Sequence, residues 1–275
     1  MSVKMILIDL DGTLMLPDHI TVSEANKRTL KAAHDNGVKI VISTGRTLSV
    51  VRRVIDQIPF IDCVMYSDGA AVYDVKENKV IYEKLIDFSL TEKVIEYLNG
   101  VEVYYNLYID GKIVTQKGRQ RFFKNSGLSE EFIKDYLKNT TMYDDLLSGI
   151  EGKGAELIVG FFNCEEDLNN AFGFINSFKD KLYVTSAFTN EFEMTNNEAT
   201  KGRTMKYLCS LEGITNENVM AIGDSHNDLP MLEEAGIAVA MGNAEQLVKE
   251  KADYITETNA NDGVALAIEK FVLNV

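Results

Sequence analysis

The sequence predicts an α/β fold: a Rossmann-like parallel sheet with helices on both faces, interrupted by an inserted α+β domain. Three observations predict it. From Met1 to about Tyr82, short apolar runs alternate with helical patterns, the rhythm of parallel strands and their covering helices. The same rhythm returns from Val219 to Val275. Between them the pattern changes to hairpin signals mixed with amphipathic helices, which marks a separate unit. A discontinuous core of residues 1–82 and 190–275 is therefore expected around an insert of residues 83–189, and 275 residues suffice for two ordinary domains.

Each element has a local reason. Met5-Ile6-Leu7-Ile8 is short, apolar and bounded by a Gly turn, as a buried strand should be. Ser23 caps a helix that ends at Gly37, Val38 to Ile42 forms the next strand, Thr47 starts a helix reaching Gln57, and Asp62 to Tyr66 is a third strand. In the insert, Val101 to Asp110 alternates and turns at Asp110-Gly111 into Lys112 to Gln116. A helix is expected over Ser129 to Lys138, a strand over Ala155 to Phe162, a helix over Glu165 to Phe178 and a strand over Lys181 to Phe188. These strands predict an antiparallel sheet. The returning core reads as an amphipathic run from Arg203 to Leu211, a strand from Val219 to Ile222, and a helix from about Asp228. Then follow a strand from Ile237 to Met241, a helix from Ala244, a short strand at Tyr254-Ile255 and a helix to Phe271.

The acids at two strand ends carry the chemistry. Asp9-Leu10-Asp11-Gly12-Thr13-Leu14 follows the first strand, at the end of a parallel sheet where ligands bind. Two neighbouring carboxylates suit a nucleophile with a general acid, or a cation site. A solvated turn uses the same residue types. More than two hundred residues later, Gly223-Asp224-Ser225-His226-Asn227-Asp228 repeats the design. Two strands that each deliver carboxylates can converge on one hard cation. A helix cap accounts for one of those acids, but poorly for the whole cluster. Ser43-Thr44-Gly45-Arg46 offers a hydroxyl and free amides at a strand-to-helix turn, which suits either an anion cradle or a helix cap. Lys201 opens a helix against the sense of its dipole, a placement that a phosphate would explain, although most lysines are simply exposed.

Composition excludes other classes. The formal net charge is −14, so a basic footprint for nucleic acid or for an anionic membrane is missing. No run of about 18 apolar residues could span a membrane, and the N-terminus lacks a signal-peptide segment. Cys63, Cys164 and Cys209 are isolated, with no zinc spacing, and point to free thiols in a reducing, cytoplasmic setting. Asn139-Thr140-Thr141 matches a glycosylation sequon and, without secretion, is read as chance. Lys117-Gly118-Arg119-Gln120-Arg121-Phe122-Phe123-Lys124 is read as a solvated segment with core phenylalanines, rather than as an anion or subunit contact. Tyr104, Tyr105 and Tyr108 are read as sheet residues.

Taken together, the four segments resemble the haloacid dehalogenase superfamily of phosphohydrolases, and within it the Cof-type branch of largely sugar-phosphate phosphatases. Asp9 to Leu14 looks like the first motif, Thr44-Gly45-Arg46 the second, Lys201-Gly202 the third, and Gly223 to Asp228 the fourth. One departure is visible: Ser67-Asp68-Gly69-Ala70 stands where many relatives carry Asn-Gly-Ala. The resemblance implies a mobile cap domain at the insert that excludes water and selects the leaving group. It also implies that Asp9 is the nucleophile and that Asp11 is the general acid and base. It implies Mg²⁺ at the Asp9 carboxylate, the Asp11 carbonyl and Asp224. Thr44, Gly45, Lys201 and Asn227 would hold phosphate, with Arg46 and Asp228 in support. The expected function is Mg²⁺-dependent hydrolysis of small phosphorylated metabolites, sugar phosphates among them, through an aspartyl-phosphate. A phosphotransferase or phosphomutase, or a regulator that binds a phosphometabolite without turnover, are the alternatives. The expected partner is the substrate alone, with the protein a monomer or homodimer.

Overall fold

The computed structural model describes residues 2–123, 130–185 and 190–273. Lys124, Ser129 and the segment 186–188 of the last expected insert strand lie outside the described residues. In chain order the strands are β1 (Met5–Ile8), β2 (Lys39–Ser43), β3 (Cys63–Tyr66), β4 (Ala71–Asp74), β5 (Lys79–Glu83), β6 (Val103–Ile109) and β7 (Lys112–Gln116). They continue as β8 (Thr140–Tyr143), β9 (Leu157–Phe162), β10 (Leu182–Thr185), β11 (Glu191–Asn196), β12 (Val219–Gly223), β13 (Ile237–Ala240) and β14 (Tyr254–Ile255). The chain forms two compact units. One comprises Met1–Arg46, Val51–Tyr82 and Thr200–Val275, and the other Thr47–Val50 and Glu83–Ala199.

The first unit is an eight-stranded sheet in the order β14-β13-β12-β1-β2-β3-β4-β5. From β14 to β3 all pairings are parallel, as the strand–helix rhythm implies. The sheet is then extended by an antiparallel hairpin partner, β4 against β3. Strand β1 lies in the middle, and Met5, Ile6, Leu7 and Ile8 are at most 1% exposed. Such a run, apolar at every position, is what a strand covered on both faces requires. The chain leaves β1 to build β2 and β3 on one side, and returns much later to build β12 on the other. That reversal opens a crevice at the carboxyl ends of β1 and β12. Helix α1 (Glu24–Asp35) starts where Ser23 accepts from the Asn26 amide, the expected cap.

The second unit is a six-stranded sheet in the order β10-β11-β9-β6-β7-β8. The β6–β7 turn places Asp110 and Gly111 at φ 50° and 69°, the geometry that its two-residue Asp-Gly loop demands. One face carries an apolar cluster: Val103, Tyr105, Leu107, Ile158, Phe162, Phe192 and Met194 pack with helices α2 (Phe88–Asn99) and α3 (Glu165–Ile175). On the other face Tyr104, Tyr108, Val159 and Phe161 pack against Phe123 and Ile133. The tyrosines are sheet residues, as expected. Arg119 of the basic–aromatic segment donates to the carbonyls of Asn99 and Val101, and its guanidinium lies over the Tyr105 ring.

Two expectations are corrected. The insert does not end at residue 189: β11 pairs with β9 and β10, so the second unit runs on to Ala199. Its alternation, Glu191-Phe192-Glu193-Met194, puts apolar residues on the covered face while both glutamates are buried on the other, which disguised the strand. The insert sheet is also not purely antiparallel. Strand β8, in the segment read as a sequon, pairs parallel to β7, and the intervening helix supplies the crossover that a parallel pair needs.

Removing buried methyl groups from the central strand tests this ordering of the core. Ile6→Ala is expected to lower the unfolding free energy by about 2–5 kcal/mol. Urea denaturation would check it, and a cost near zero would show that β1 is not at the centre of the packed sheet.

Candidate active site

The parallel register makes the ends of β1 and β12 level, since Ile8 lies opposite Ile222. Asp9, the next residue, donates its amide to the Ile222 carbonyl at 3.0 Å. Its side chain is buried and meets the Lys201 ammonium at 2.8 Å, and that ammonium lies 2.7 Å from Asp228. Lys201 is the first residue of helix α4 (Lys201–Glu212), which Thr200 caps by accepting from the Arg203 amide. Gly202 brings this helix close: a Cβ there would stand 2.1 Å from the Pro230 carbonyl. The other Asp228 oxygen accepts from the amides of Asp224 and Ser225 at 2.9 and 3.1 Å. Asp228 thus folds the fourth-motif loop around itself and presents one oxygen to the lysine.

Asp224 points toward the first-motif loop, where Thr13 donates to it at 2.7 Å. Gly12 is required there twice over. Its φ is 76°, and a Cβ would fall 2.3 Å from an Asp224 oxygen. Asp9, Asp224 and Asp228 form one acidic group, each with a carboxylate oxygen within 4.8 Å of the others. Burial, then repulsion by Asp228, pushes Asp224 up to a pKa of about 6. Burial pushes Asp9 well up, against the pull of Lys201. Burial disfavours the Lys201 charge, but Asp228 and Asp9 together outweigh it and hold the lysine firmly protonated. The donors are all oxygens, which suits a hard cation.

Asp11 lies outside this acidic group. Arg46 grips its carboxylate with two hydrogen bonds of 2.7 and 2.6 Å, and His19 Nδ1 lies 2.8 Å from one oxygen. Burial favours the protonated acid, but the His19 hydrogen bond and the arginine fork prevail and keep its pKa below the usual range. The hydrogen bond to Asp11 in turn raises His19.

The Thr44–Arg46 loop is held from below. The Asp68 amide donates to the Thr44 carbonyl and the Ser67 amide to the Arg46 carbonyl, so Gly45 arches between two anchors. Ser67, Asp68 and Gly69 all have positive φ, 50°, 54° and 93°. The Gly69 carbonyl accepts from Thr204 of α4 at 2.7 Å, tying this turn to the lysine's helix. Asp68 is buried and accepts from the Asn227 side-chain amide at 3.0 Å.

The structure therefore brings Asp9, Lys201, Asp224 and Asp228 together, with Thr44, Gly45 and Asn227 joined through Asp68. It sets Asp11 and Arg46 beside them as an ion pair. Sequence reasoning missed Thr13 and His19. Thr13 lay inside the quoted motif. No local pattern announces His19, a histidine that reaches back eight residues to Asp11.

A parallel sheet whose central strand ends gather acids around one buried lysine suits an enzyme that acts on phosphate groups. The chain matches the model of the haloacid dehalogenase-like hydrolases over residues 6–268 and belongs to that family. It is 31% identical over 274 residues to the 5-amino-6-(5-phospho-D-ribitylamino)uracil phosphatase YcsE of Bacillus subtilis, spanning 99% of this chain and 97% of the relative. It is also 31% identical to the phosphatase YwpJ of the same organism, over 95% of this chain and 97% of that one. A solved haloacid dehalogenase-like hydrolase from B. subtilis has the same fold, with a TM-score of 0.84, 29% identity and coverage of 98% and 100% of the two chains. The chain is an enzyme, a phosphoric monoester hydrolase. Among the described residues no helix is long and apolar enough to cross a membrane.

The raised pKa of Asp224 has a consequence for stability. Its folded value of about 6 exceeds the ordinary 3.8, so the folded state binds the proton more tightly and loses stability as pH rises through that window. In chelator, Asp224→Asn is expected to match the wild type near pH 4 and to exceed it near pH 7 by up to about 3 kcal/mol, at 1.36 kcal/mol per pK unit. Urea denaturation at the two pH values decides it. A variant less stable at pH 7 would contradict the assigned repulsion.

Proposed function

We propose that this chain hydrolyses phosphate esters of small polyhydroxylated metabolites, sugar phosphates among them, through an aspartyl-phosphate on Asp9. The observation that carries the reading is the buried Asp9–Lys201–Asp228 contact at the end of the central strand. It fixes a carboxylate and an ammonium at one point of the crevice, a nucleophile beside a cation suited to the transferring phosphoryl oxygens. The relative YcsE is named for a phosphorylated ribityl compound, which supports a polyhydroxylated leaving group.

In this reading an Asp9 carboxylate oxygen attacks phosphorus, the bond to the ester oxygen breaks, and that oxygen takes a proton from Asp11. Water then attacks phosphorus, Asp11 takes its proton, and the bond to Asp9 breaks to release inorganic phosphate. Thr44, the Gly45 amide, Lys201 and Asn227 hold the phosphoryl oxygens. The grip of Arg46 and His19 matches Asp11 in its base role. To act as an acid, its carboxyl must leave the fork, after which burial favours the proton.

The donor set fits Mg²⁺. One Asp228 oxygen is held by the Lys201 ammonium and the other by two backbone amides, whereas the donors to Asp224 are the hydroxyls of Thr13 and Ser225, and Mg²⁺ is bound by one or two carboxylates with carbonyl and water oxygens. Asp9, Asp224 and the Asp11 carbonyl would hold it, and when bound it supplies positive charge toward the phosphoryl group. The unit of residues 83–199 selects the leaving group.

Asp9→Asn is expected to abolish turnover with the fold retained, and rapid quenching of the wild type should trap a phosphoryl group on Asp9. Substantial activity in the variant would remove Asp9 from the mechanism. After exhaustive chelation activity should vanish, return with Mg²⁺ and fail to return with Ca²⁺, whose higher coordination number draws in further oxygens. Full activity in chelator would defeat the metal assignment. Phosphate release from a panel of sugar, polyol and aryl phosphates tests the substrate class, and a preference for simple aryl esters over every polyol ester would overturn it.

A further inference from the structure

Lys201 faces three acids. It hydrogen-bonds Asp9 and Asp228, and the field of Asp68 also acts on it. Asp68 differs from the other two in how its own charge is met. It is 4% exposed, and among the described residues the single hydrogen bond to its carboxylate comes from the neutral amide of Asn227. Its second oxygen is buried without a partner. The carboxylate lies against Gly45: a Cβ on that glycine would be 3.2 and 3.4 Å from its two oxygens. The backbone leaves it little choice of place, because the Asp68 amide is bonded to the Thr44 carbonyl and the turn is anchored to α4 through Gly69. A carboxylate bonded only to a neutral amide thus lies against Gly45 of the Thr44–Gly45 loop, and its field reaches the Lys201 ammonium.

A fixed negative charge at short range opposes an anion, the more so in a medium of low dielectric. We propose that Asp68 is a positioning residue that weakens the hold of the site on phosphate: it aligns Asn227 and the Gly45 arch, and its charge offsets that of Lys201. The proposal rests on the reading of Thr44, Gly45 and Lys201 as the phosphate cradle. Its value to a hydrolase is product release. Inorganic phosphate carries every group the cradle recognises, so a site built only of donors would retain its product. The transferring group, by contrast, is fixed by the nucleophile itself.

Asp68→Asn separates the charge from the shape. The amide is isosteric, keeps an oxygen that accepts from Asn227, and suits the left-handed backbone at this position. The measurement is competitive inhibition by inorganic phosphate, with KM for the substrate, in wild type, Asp68→Asn and Asn227→Ala. Asp68→Asn is expected to lower the phosphate inhibition constant about tenfold and to lower KM with it, a modest share of what a unit charge exerts at an effective dielectric near 20. A loosened or partly unfolded site would bind phosphate more weakly, so tighter binding cannot arise from damage. Asn227→Ala leaves the Asp68 charge in place and is not expected to tighten phosphate. An unchanged or raised inhibition constant in Asp68→Asn, or equal tightening in Asn227→Ala, overturns the proposal while leaving the cradle standing. If phosphate fails to compete with substrate in the wild type, the cradle reading falls and takes the proposal with it.

Discussion

The Lys201 ammonium, buried between Asp9 and Asp228, is the interaction on which the rest of the site depends. A lone ammonium in a packed interior would cost many kcal/mol, and it persists because two carboxylates meet it at hydrogen-bond distance. Each partner is then constrained in turn. Asp9 must end the central strand, Asp228 must close the loop after β12, and α4 must approach within the space that only Gly202 leaves against Pro230. The helix dipole does not favour a lysine at its first residue, so the two acids, not the helix, hold it there. Three segments far apart in the chain are thereby fixed to one another by a single charged group.

The sheet topology makes this convergence possible. Strands β1 and β12 are neighbours in register although more than two hundred residues separate them, so their ends deliver acids at one level. The turn at Ser67–Gly69 performs a similar service for the Thr44–Arg46 loop. Three consecutive residues with positive φ are costly for non-glycine side chains, and such strain persists where the surroundings over-determine it. Here the surroundings are two backbone hydrogen bonds to the loop, the Asn227 contact and the tie to Thr204.

Much of this was legible in the sequence, for a physical reason. Buried parallel strands are apolar throughout, so a carboxylate at the end of one stands out against its run, and Asp9 and Asp224 could be read that way. Lys201 was visible because it opposes the helix dipole. The pairing of Asp11 with Arg46 and His19 was not legible, since it joins loops whose approach only the fold decides. Nor was β11, because its glutamates Glu191 and Glu193 occupy buried positions of a sheet face that composition alone would assign to solvent. Strand β8 was hidden for the opposite reason: its side chains are half-exposed, and an edge strand needs no strong apolar signal.

The chain carries a net charge of −14, and yet its site must accept an anion. Local charge does not resolve this by simple excess of positive groups. Lys201 is outnumbered by Asp9, Asp228 and Asp68, and Asp224 adds a fourth acid whose pKa is raised first by burial and then by the repulsion of Asp228. Such a group of oxygens stores unfavourable energy in the folded protein. A divalent cation relieves it directly, because metal and proton compete for the same carboxylates and the metal brings the larger charge. The anion would then be drawn by the cation and by Lys201 together, against the repulsive field of the whole protein. With the proposed cation site, affinity for phosphate would therefore be conditional: the acids that make the site costly when empty are the ones that would let a cation turn it into a receptor for negative charge.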